Sequence, residues 1–294
     1  VEEHEVLIIG AGPAGIAAAI QLKRYNIEPL ILEQNEIGGL LRNAHLIENY
    51  PGFPKGISGI ELVELFQKQL KDAGVEVSFE AILELDYRDG SFYIKTNRQE
   101  IEAITVVIAT GTKPCKLTNV KIADDIQSRI FYDIHSILYI KKKNIAIIGA
   151  GDAAFDYALN LTHKNEVIII NRSTDIKCLP LLWERSMKSE SITYINNMTV
   201  KEILKKDRHA LIACIDNETK EEKQIEADHV IAAIGREPAL DFLADSLKKS
   251  LETLIKMNKL YMVGDVRNGI YRQTAISVGD GIRVAMEIYR NRGR

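Results

Sequence analysis

One local plan occurs twice in this 294-residue chain, and it leaves few folds open. A nearly continuous apolar run, Glu5 to Ile9, leads straight into Gly10-Ala11-Gly12-Pro13-Ala14-Gly15. A helix-length stretch from Ile16 to Tyr25 follows, then a short second strand, Pro29 to Leu32, ending at Glu33. About 139 residues after Gly10 the pattern restarts. Asn144 to Ile148 leads into Gly149-Ala150-Gly151-Asp152-Ala153-Ala154, an apolar helix through Leu161 and another strand, Glu166 to Ile170. Apolar runs without alternation predict parallel strands covered on both faces. Their succession with helix-period segments predicts an α/β fold. A spacing this long marks a duplicated domain plan, since solenoid repeats recur every roughly 20–50 residues.

Between the two units, Val75 to Phe79, Ile82 to Tyr87, Ser91 to Lys95 and Ala103 to Ala109 read as strands, with Asp89-Gly90 as a hairpin turn. Gly/Pro-marked junctions at Gly111 to Pro114 and Gly235 to Pro238 bracket the second unit. It is therefore read as an insertion: residues 1–111 and 238–294 form one discontinuous domain, and 112–237 a continuous one. The junctions are candidate hinges. Lys141-Lys142-Lys143 is read as a solvated approach to a strand.

Composition closes off other classes. The chain is 46% hydrophobic, 27% charged and 6% aromatic, with a net charge of -3, so it carries no basic footprint for nucleic acid or an anionic membrane. No apolar run approaches the roughly 18 residues that span a bilayer. The acidic start, Val1-Glu2-Glu3-His4, leads directly into a strand, and no signal peptide is expected. Cys115, Cys178 and Cys214 are odd in number, far apart and never in C-x-x-C, which disfavours a disulfide scaffold and a sulfur-ligated metal and points to a cytoplasmic setting. The six histidines show no metal-ligand spacing, so no metal is expected.

The strand–turn–helix context makes each glycine turn a dinucleotide fingerprint. Gly10 permits the tight turn, Gly12 removes the side chain that would hold a pyrophosphate off the backbone, and Gly15 lets helix and strand pack closely. The helix N-terminus then offers N–H groups and a positive dipole end to the phosphates. Glu33, at the end of the second strand, can accept from ribose hydroxyls. The second turn, Gly149, Gly151 and Ala154, is an allowed variant of the fingerprint. Its second strand ends in Asn171-Arg172-Ser173, with Lys177 close behind. A guanidinium with a nearby ammonium suits a 2′-phosphate, which favours NADP over NAD.

Several segments together resemble the low-molecular-weight thioredoxin reductase-like flavoproteins: Gly10–Gly15, Gly38-Gly39-Leu40, Glu48-Asn49-Tyr50-Pro51-Gly52, Ala109-Thr110-Gly111, Gly149–Ala154, Ala233-Ile234-Gly235-Arg236, Val263-Gly264-Asp265-Val266 and Tyr271-Arg272-Gln273-Thr274. The resemblance implies two Rossmann-like, three-layer ββα domains, with FAD in the discontinuous one and NADPH, or NADH, in the inserted one. On the FAD side it implies roles for Gly10, Gly12, Pro13, Ala14, Gly15, Glu33, Gly39, Leu40, Ala109, Thr110, Gly111 and Gly264. Asp265 would hold the ribityl or pyrophosphate portion, while Arg272, Gln273 and Thr274 would meet the flavin pyrimidine edge. Asn49 would lie against the flavin, and Ala81 and Ile82 beside the adenine. On the nucleotide side it implies Gly149, Gly151, Asp152, Ala153, Ala154, Asn171, Arg172, Lys177, Gly235 and Arg236. A homodimer is implied as well.

The departures from that family narrow the reading. Where its redox C-x-x-C would fall stands Tyr132-Asp133-Ile134-His135. Dithiol–disulfide exchange by the usual route needs an attacking and a resolving thiol. The helix Asp152-Ala153-Ala154-Phe155-Asp156-Tyr157 looks closer to the thioredoxin reductase-type ferredoxin–NADP reductases, which lack the dithiol. The usual glutamine after the Gly-Gly pair is Leu40, and Asn171, Ser173 and Lys177 replace the family's His, Arg and Arg. The expected function is therefore an FAD-dependent NAD(P)H oxidoreductase that passes electrons to ferredoxin, another protein or a small-molecule acceptor. Two alternatives stay open: a disulfide reductase using another thiol such as Cys115, and an FAD-binding protein that has lost turnover. His135 is a candidate proton donor, set against a packing role between domains.

Overall fold

The computed structural model describes residues 2–292. The chain forms two compact units: one takes the chain up to Arg42, Leu46–Lys113 and the stretch from Glu237 onward, the other Asn43–His45 and Pro114–Arg236. The division falls inside a two-stranded ribbon, Thr112–Pro114 paired with Arg236–Pro238. Asn43–His45, expected with the first domain, groups with the second unit because the helix Asp152–Leu161 holds it. The His45 N–H donates to Asp156 Oδ2 at 3.1 Å, and Asn160 Nδ2 donates to the Asn43 carbonyl at 3.3 Å.

In the first unit, Glu2–Ile9 runs parallel between Pro29–Glu33 and Glu100–Ile108, with Val77–Phe79 beyond Pro29–Glu33. Glu100–Ile108 splits the sheet along its length. Its first half pairs antiparallel with Ser91–Thr96, which in turn pairs with Ile82–Arg88, while Val106 to Ile108 pair in parallel with Leu260–Met262. The core, including Leu7, Ile9, Phe92, Ile94, Val106 and Leu254, packs between these strands and the helix Asp245–Lys256. Helices Pro13–Arg24 and Thr274–Asn291 pack on each other. Asp89 and Gly90 both have positive φ (53° and 93°), as a two-residue type I′ hairpin requires. The strand expected from Val75 begins only at Val77, because the Val75 N–H closes the helix Gly59–Asp72 by donating to the Leu70 carbonyl.

The second unit repeats the plan. Asn144–Ile148 lies parallel between Glu166–Ile170 and His229–Ala232, flanked by Ile192–Ile195 and Ile130–Phe131. A separate antiparallel layer, Met198–Lys206, His209–Asp216 and Glu222–Ala227, was not legible from the pattern of apolar runs. Buried Ile145, Ile147, Phe155 and Ile169 fill the helix side of the parallel sheet. Ala146, Ile148, Ile203 and Ile212 fill the side toward the antiparallel layer. Both units thus have the expected Rossmann-type sheets and helices. Among the described residues no helix is long and apolar enough to cross a membrane.

Candidate dinucleotide-binding sites

Each site is built where the central strand of a parallel sheet turns into its helix. Gly10 has φ +103°, and a Cβ there would lie 2.5 Å from the Ala109 carbonyl oxygen. A Cβ on Gly15 would lie 2.0 Å from the Gly10 carbonyl oxygen. The protein's own packing demands both glycines. Gly12 is different: its φ of -79° suits any residue, and nothing lies within 4 Å of the place its Cβ would take. It is the N-cap of the helix Pro13–Arg24 and supplies no side-chain cap bond. Pro13, at the first helical position, gives up an N–H that the helix would not use. The N–H groups of Ala14 and Gly15 belong to the first turn, whose donors have no intrahelical acceptor.

The second turn reproduces this geometry. Gly149 has φ +124°, with a Cβ position 2.2 Å from the Ala233 carbonyl oxygen, whereas the Cβ position of Gly151 is open. Gly151 is again an N-cap without a side-chain acceptor, here for Asp152–Leu161. Ala154 is fully buried in the third position, and Ala153 is exposed beside it.

The carboxylate ends of the strands complete the first site. Glu33 Oε2 accepts the Ala11 N–H and Oε1 the Asn35 N–H, each at 2.9 Å, so the carboxylate is aimed by the turn it serves. Gly38-Gly39 returns over the turn: the Gly38 N–H donates to the Ala11 carbonyl at 2.8 Å, and Gly39 lies beside Gly12. Half-buried Leu40 follows in the 3-10 helix Gly39–Asn43. Asn49 Nδ2 donates to Gln273 Oε1 at 2.8 Å, joining two residues far apart in sequence. Gln273 is the N-cap of Thr274–Asn291, again without a side-chain cap, and Arg272 precedes it. Asp265, in the turn Gly264–Val266, accepts from Ser277 Oγ at 3.2 Å. Thr110 Oγ1 and the Gly111 carbonyl both bond to the backbone of Ala239.

Ala81, Ile82 and Asn171, three of the expected contacts, are held by bonds within the protein. The Ala81 N–H donates to Asn97 Oδ1 at 3.0 Å, and its carbonyl accepts the Asn97 N–H at 2.9 Å; Ile82 pairs with Thr96. This segment is nevertheless tied to the first site, because the Glu80 N–H donates to the Glu33 carbonyl. Asn171 is buried, its amide turned inward to the Asp175 carbonyl and the Tyr194 hydroxyl, while Arg172 and Lys177 expose their side chains. Tyr194, Glu80, Asn97 and Asn217, whose Nδ2 donates to the Arg172 carbonyl, all shape these loops; no local sequence signal marks them, because their partners arrive from distant segments.

Asp152 Oδ1 accepts the Leu179 N–H at 2.7 Å, which folds the Lys177–Leu179 segment back toward the second turn. Gly235 has φ +121°, and its carbonyl accepts the Cys115 N–H at 3.0 Å. Burial pushes the Tyr157 hydroxyl up to about 12, against the opposing charge of Arg236. Burial likewise pushes the Asp156 carboxyl up to about 6, with the His45 N–H working the other way. In the segment Tyr132 to His135, Ile134 is fully buried, and the His135 N–H donates to Asp133 Oδ1 at 3.3 Å. None of the three cysteines is in a disulfide. Burial raises the Cys178 thiol and pushes that of Cys214 up to about 11.

Both turns therefore fit a dinucleotide pyrophosphate: an open cradle at the second glycine, uncapped N–H donors and a favourable dipole end. The family model described as pyridine nucleotide-disulphide oxidoreductase matches residues 4–281. A thioredoxin reductase of Rickettsia felis is 30% identical over 302 aligned residues, covering 97% of this chain and 96% of its own. Among solved structures, the thioredoxin reductase of T. acidophilum superposes with a TM-score of 0.86 at 28% identity, covering 99% of each chain. That of Lactococcus lactis, in its FR conformation, gives 0.85 at 26% identity over 98% of each.

Proposed function

The chain belongs to the pyridine nucleotide-disulphide oxidoreductase family, and from that premise we propose that it is an NAD(P)H oxidoreductase working without a redox dithiol. FAD and NADPH are the cofactors of its thioredoxin reductase-like relatives. We assign FAD to the first glycine turn and the nicotinamide nucleotide to the second. Bound there, FAD supplies a two-electron acceptor for nicotinamide hydride and can release electrons singly.

The residues of the chain do the positioning. The first turn of Pro13–Arg24 binds the pyrophosphate through N–H groups, with Gly12 giving it room. Glu33, already oriented by two backbone donors, accepts from the adenosine ribose. The paired Asn49 and Gln273 hold the flavin side of the site, and the N-terminus of Thr274–Asn291 favours negative charge at the pyrimidine edge. Hydride transfer depends on close, aligned approach, so the proposal assigns no proton-transfer role to His135.

One observation carries the dithiol-free reading: the three cysteines lie far apart in sequence, and all three are free. Thiolate is the nucleophile, and both Cys178 and Cys214 are shifted away from it by burial. The chain has no C-x-x-C, and Tyr132 to His135 stand where the resemblance places it. The proposed acceptor is an external one-electron carrier such as ferredoxin. The thioredoxin reductase relatives favour a second reading, reduction of a disulfide through Cys115, whose thiol is half-buried beside Gly235.

An anaerobic titration with NADPH and with NADH, followed by a panel of acceptors, separates the readings. Bleaching of the visible flavin band and turnover with ferricyanide or ferredoxin support the first. Turnover confined to disulfides, and lost in Cys115→Ser, would establish the second. Absence of bleaching by either nucleotide refutes both.

A further inference from the structure

The loop that ends the Glu166–Ile170 strand is clamped by the side chains of Asn171 and Asn217. Asn171 stands where a Rossmann side chain addresses the adenosine ribose. It is only 5% exposed, and its amide is committed elsewhere. Nδ2 donates to the Asp175 carbonyl and the Tyr194 hydroxyl, each at 2.9 Å, and Oδ1 accepts the Ser173 N–H at 3.2 Å. Asn217 follows the antiparallel strand His209–Asp216. Its Nδ2 donates to the Arg172 carbonyl at 2.7 Å, and its Oδ1 accepts from Thr199 Oγ1 at 2.8 Å. The Arg172 backbone is thus pinned from another sheet, while its side chain stays exposed.

We propose that Asn171 and Asn217 are positioning residues for nucleotide choice, presenting Arg172 to the 2′-phosphate and making the second site selective for NADPH over NADH. Two effects act in the same direction. Asn171, turned inward, withholds the acceptor that the unphosphorylated 2′-hydroxyl of NADH would use. A fixed backbone at Arg172 leaves only the side chain to be ordered when its guanidinium meets phosphate, a geometry its planar fork matches. This inference rests on the assignment of the second turn to the nicotinamide nucleotide.

The test uses the FAD-loaded protein and calorimetric titration with 2′,5′-ADP and with 5′-AMP. Asn217→Ala is expected to weaken 2′,5′-ADP binding about five- to tenfold, the worth of one well-placed hydrogen bond, and to leave AMP unchanged. The NADPH-to-NADH ratio of kcat/KM should fall by the same factor. Arg172→Ala should lower 2′,5′-ADP affinity further, and adding Asn217→Ala to it should cost nothing more, because Asn217 acts through Arg172. If Arg172→Ala leaves 2′,5′-ADP binding intact, the nucleotide assignment of this loop is wrong. If Arg172→Ala weakens it but Asn217→Ala does not, or weakens AMP equally, the positioning role is overturned. Should Asn217→Ala fail to fold, Thr199→Val, which removes the hydroxyl fixing Asn217, is expected to shift the same ratio about twofold in the same direction. An unchanged ratio in that variant overturns the proposal as well.

Discussion

Replacing Gly12 with alanine should remove FAD and leave the fold alone. Its φ of -79° is open to alanine, and no protein atom lies within 4 Å of the new methyl group. Stiffening the unfolded chain stabilises by about 0.4–1 kcal/mol. Exchanging glycine for alanine at an N-cap costs about 0.5–1 kcal/mol, so the two nearly cancel. The methyl group would stand between the pyrophosphate and the N–H donors of the first turn. Losing one or two charge-assisted hydrogen bonds at about 1.5–3 kcal/mol each corresponds to an affinity loss on the order of a hundredfold. Gly10→Ala is the contrasting control. Its positive φ costs about 1–3 kcal/mol, and overlap with the Ala109 carbonyl adds about as much again, a large share of a typical domain's stability. Flavin-to-protein ratio, calorimetric FAD affinity and melting of the apoprotein read the two effects separately. FAD bound normally by Gly12→Ala, or an apoprotein melting far below the parent, would refute this account of the turn.

Other consequences follow from the same geometry. Gly151→Ala, also in open space, should abolish NADPH reduction of the flavin while leaving FAD content unchanged, as read by stopped-flow absorbance. Glu33→Ala removes the acceptor for the Ala11 and Asn35 N–H groups, so apoprotein stability should fall by about 1–2 kcal/mol and FAD affinity should fall with it. The Asp156 carboxyl titrates near 6 in the folded protein, above its ordinary value of 3.8. The native state therefore binds its proton more tightly, and this residue's contribution to stability falls as pH rises from about 4 to 6, then stays constant. Asp156→Asn, which keeps an acceptor for the His45 N–H, should raise the melting temperature at pH about 7.5 and have little effect near pH 4. An equal effect at both pH values would contradict the burial cause.

The glycine turns were legible because the strand, tight turn and helix start that build each of them are contiguous in sequence. Asp89-Gly90 was legible for the same reason: two adjacent residues carry the positive φ values the hairpin needs. Asn49 and Gln273 lie far apart, and nothing local links them; the family resemblance implies a flavin contact for each, and their 2.8 Å hydrogen bond to one another belongs to the tertiary fold. Asn171 reads as a nucleotide contact by position, yet its orientation is decided by Tyr194, from a neighbouring strand that no local pattern assigns to it. The antiparallel layer of the second unit is not legible in the sequence because its strands mix polar and apolar residues, as in Lys201-Glu202-Ile203-Leu204-Lys205. That layer is what brings Asn217 beside Arg172, 45 residues away in sequence.

In the proposed function, electrons leave the flavin without passing through a thiol of this chain. The direct measurement is anaerobic reduction by NADPH, then steady turnover with ferredoxin or ferricyanide, in the combined Cys115→Ser, Cys178→Ser and Cys214→Ser variant. The expected result is flavin reduction and turnover within about twofold of the parent, as follows if none of the three thiols takes part. Turnover that collapses in the triple variant while flavin reduction persists would contradict it and place a cysteine on the electron path.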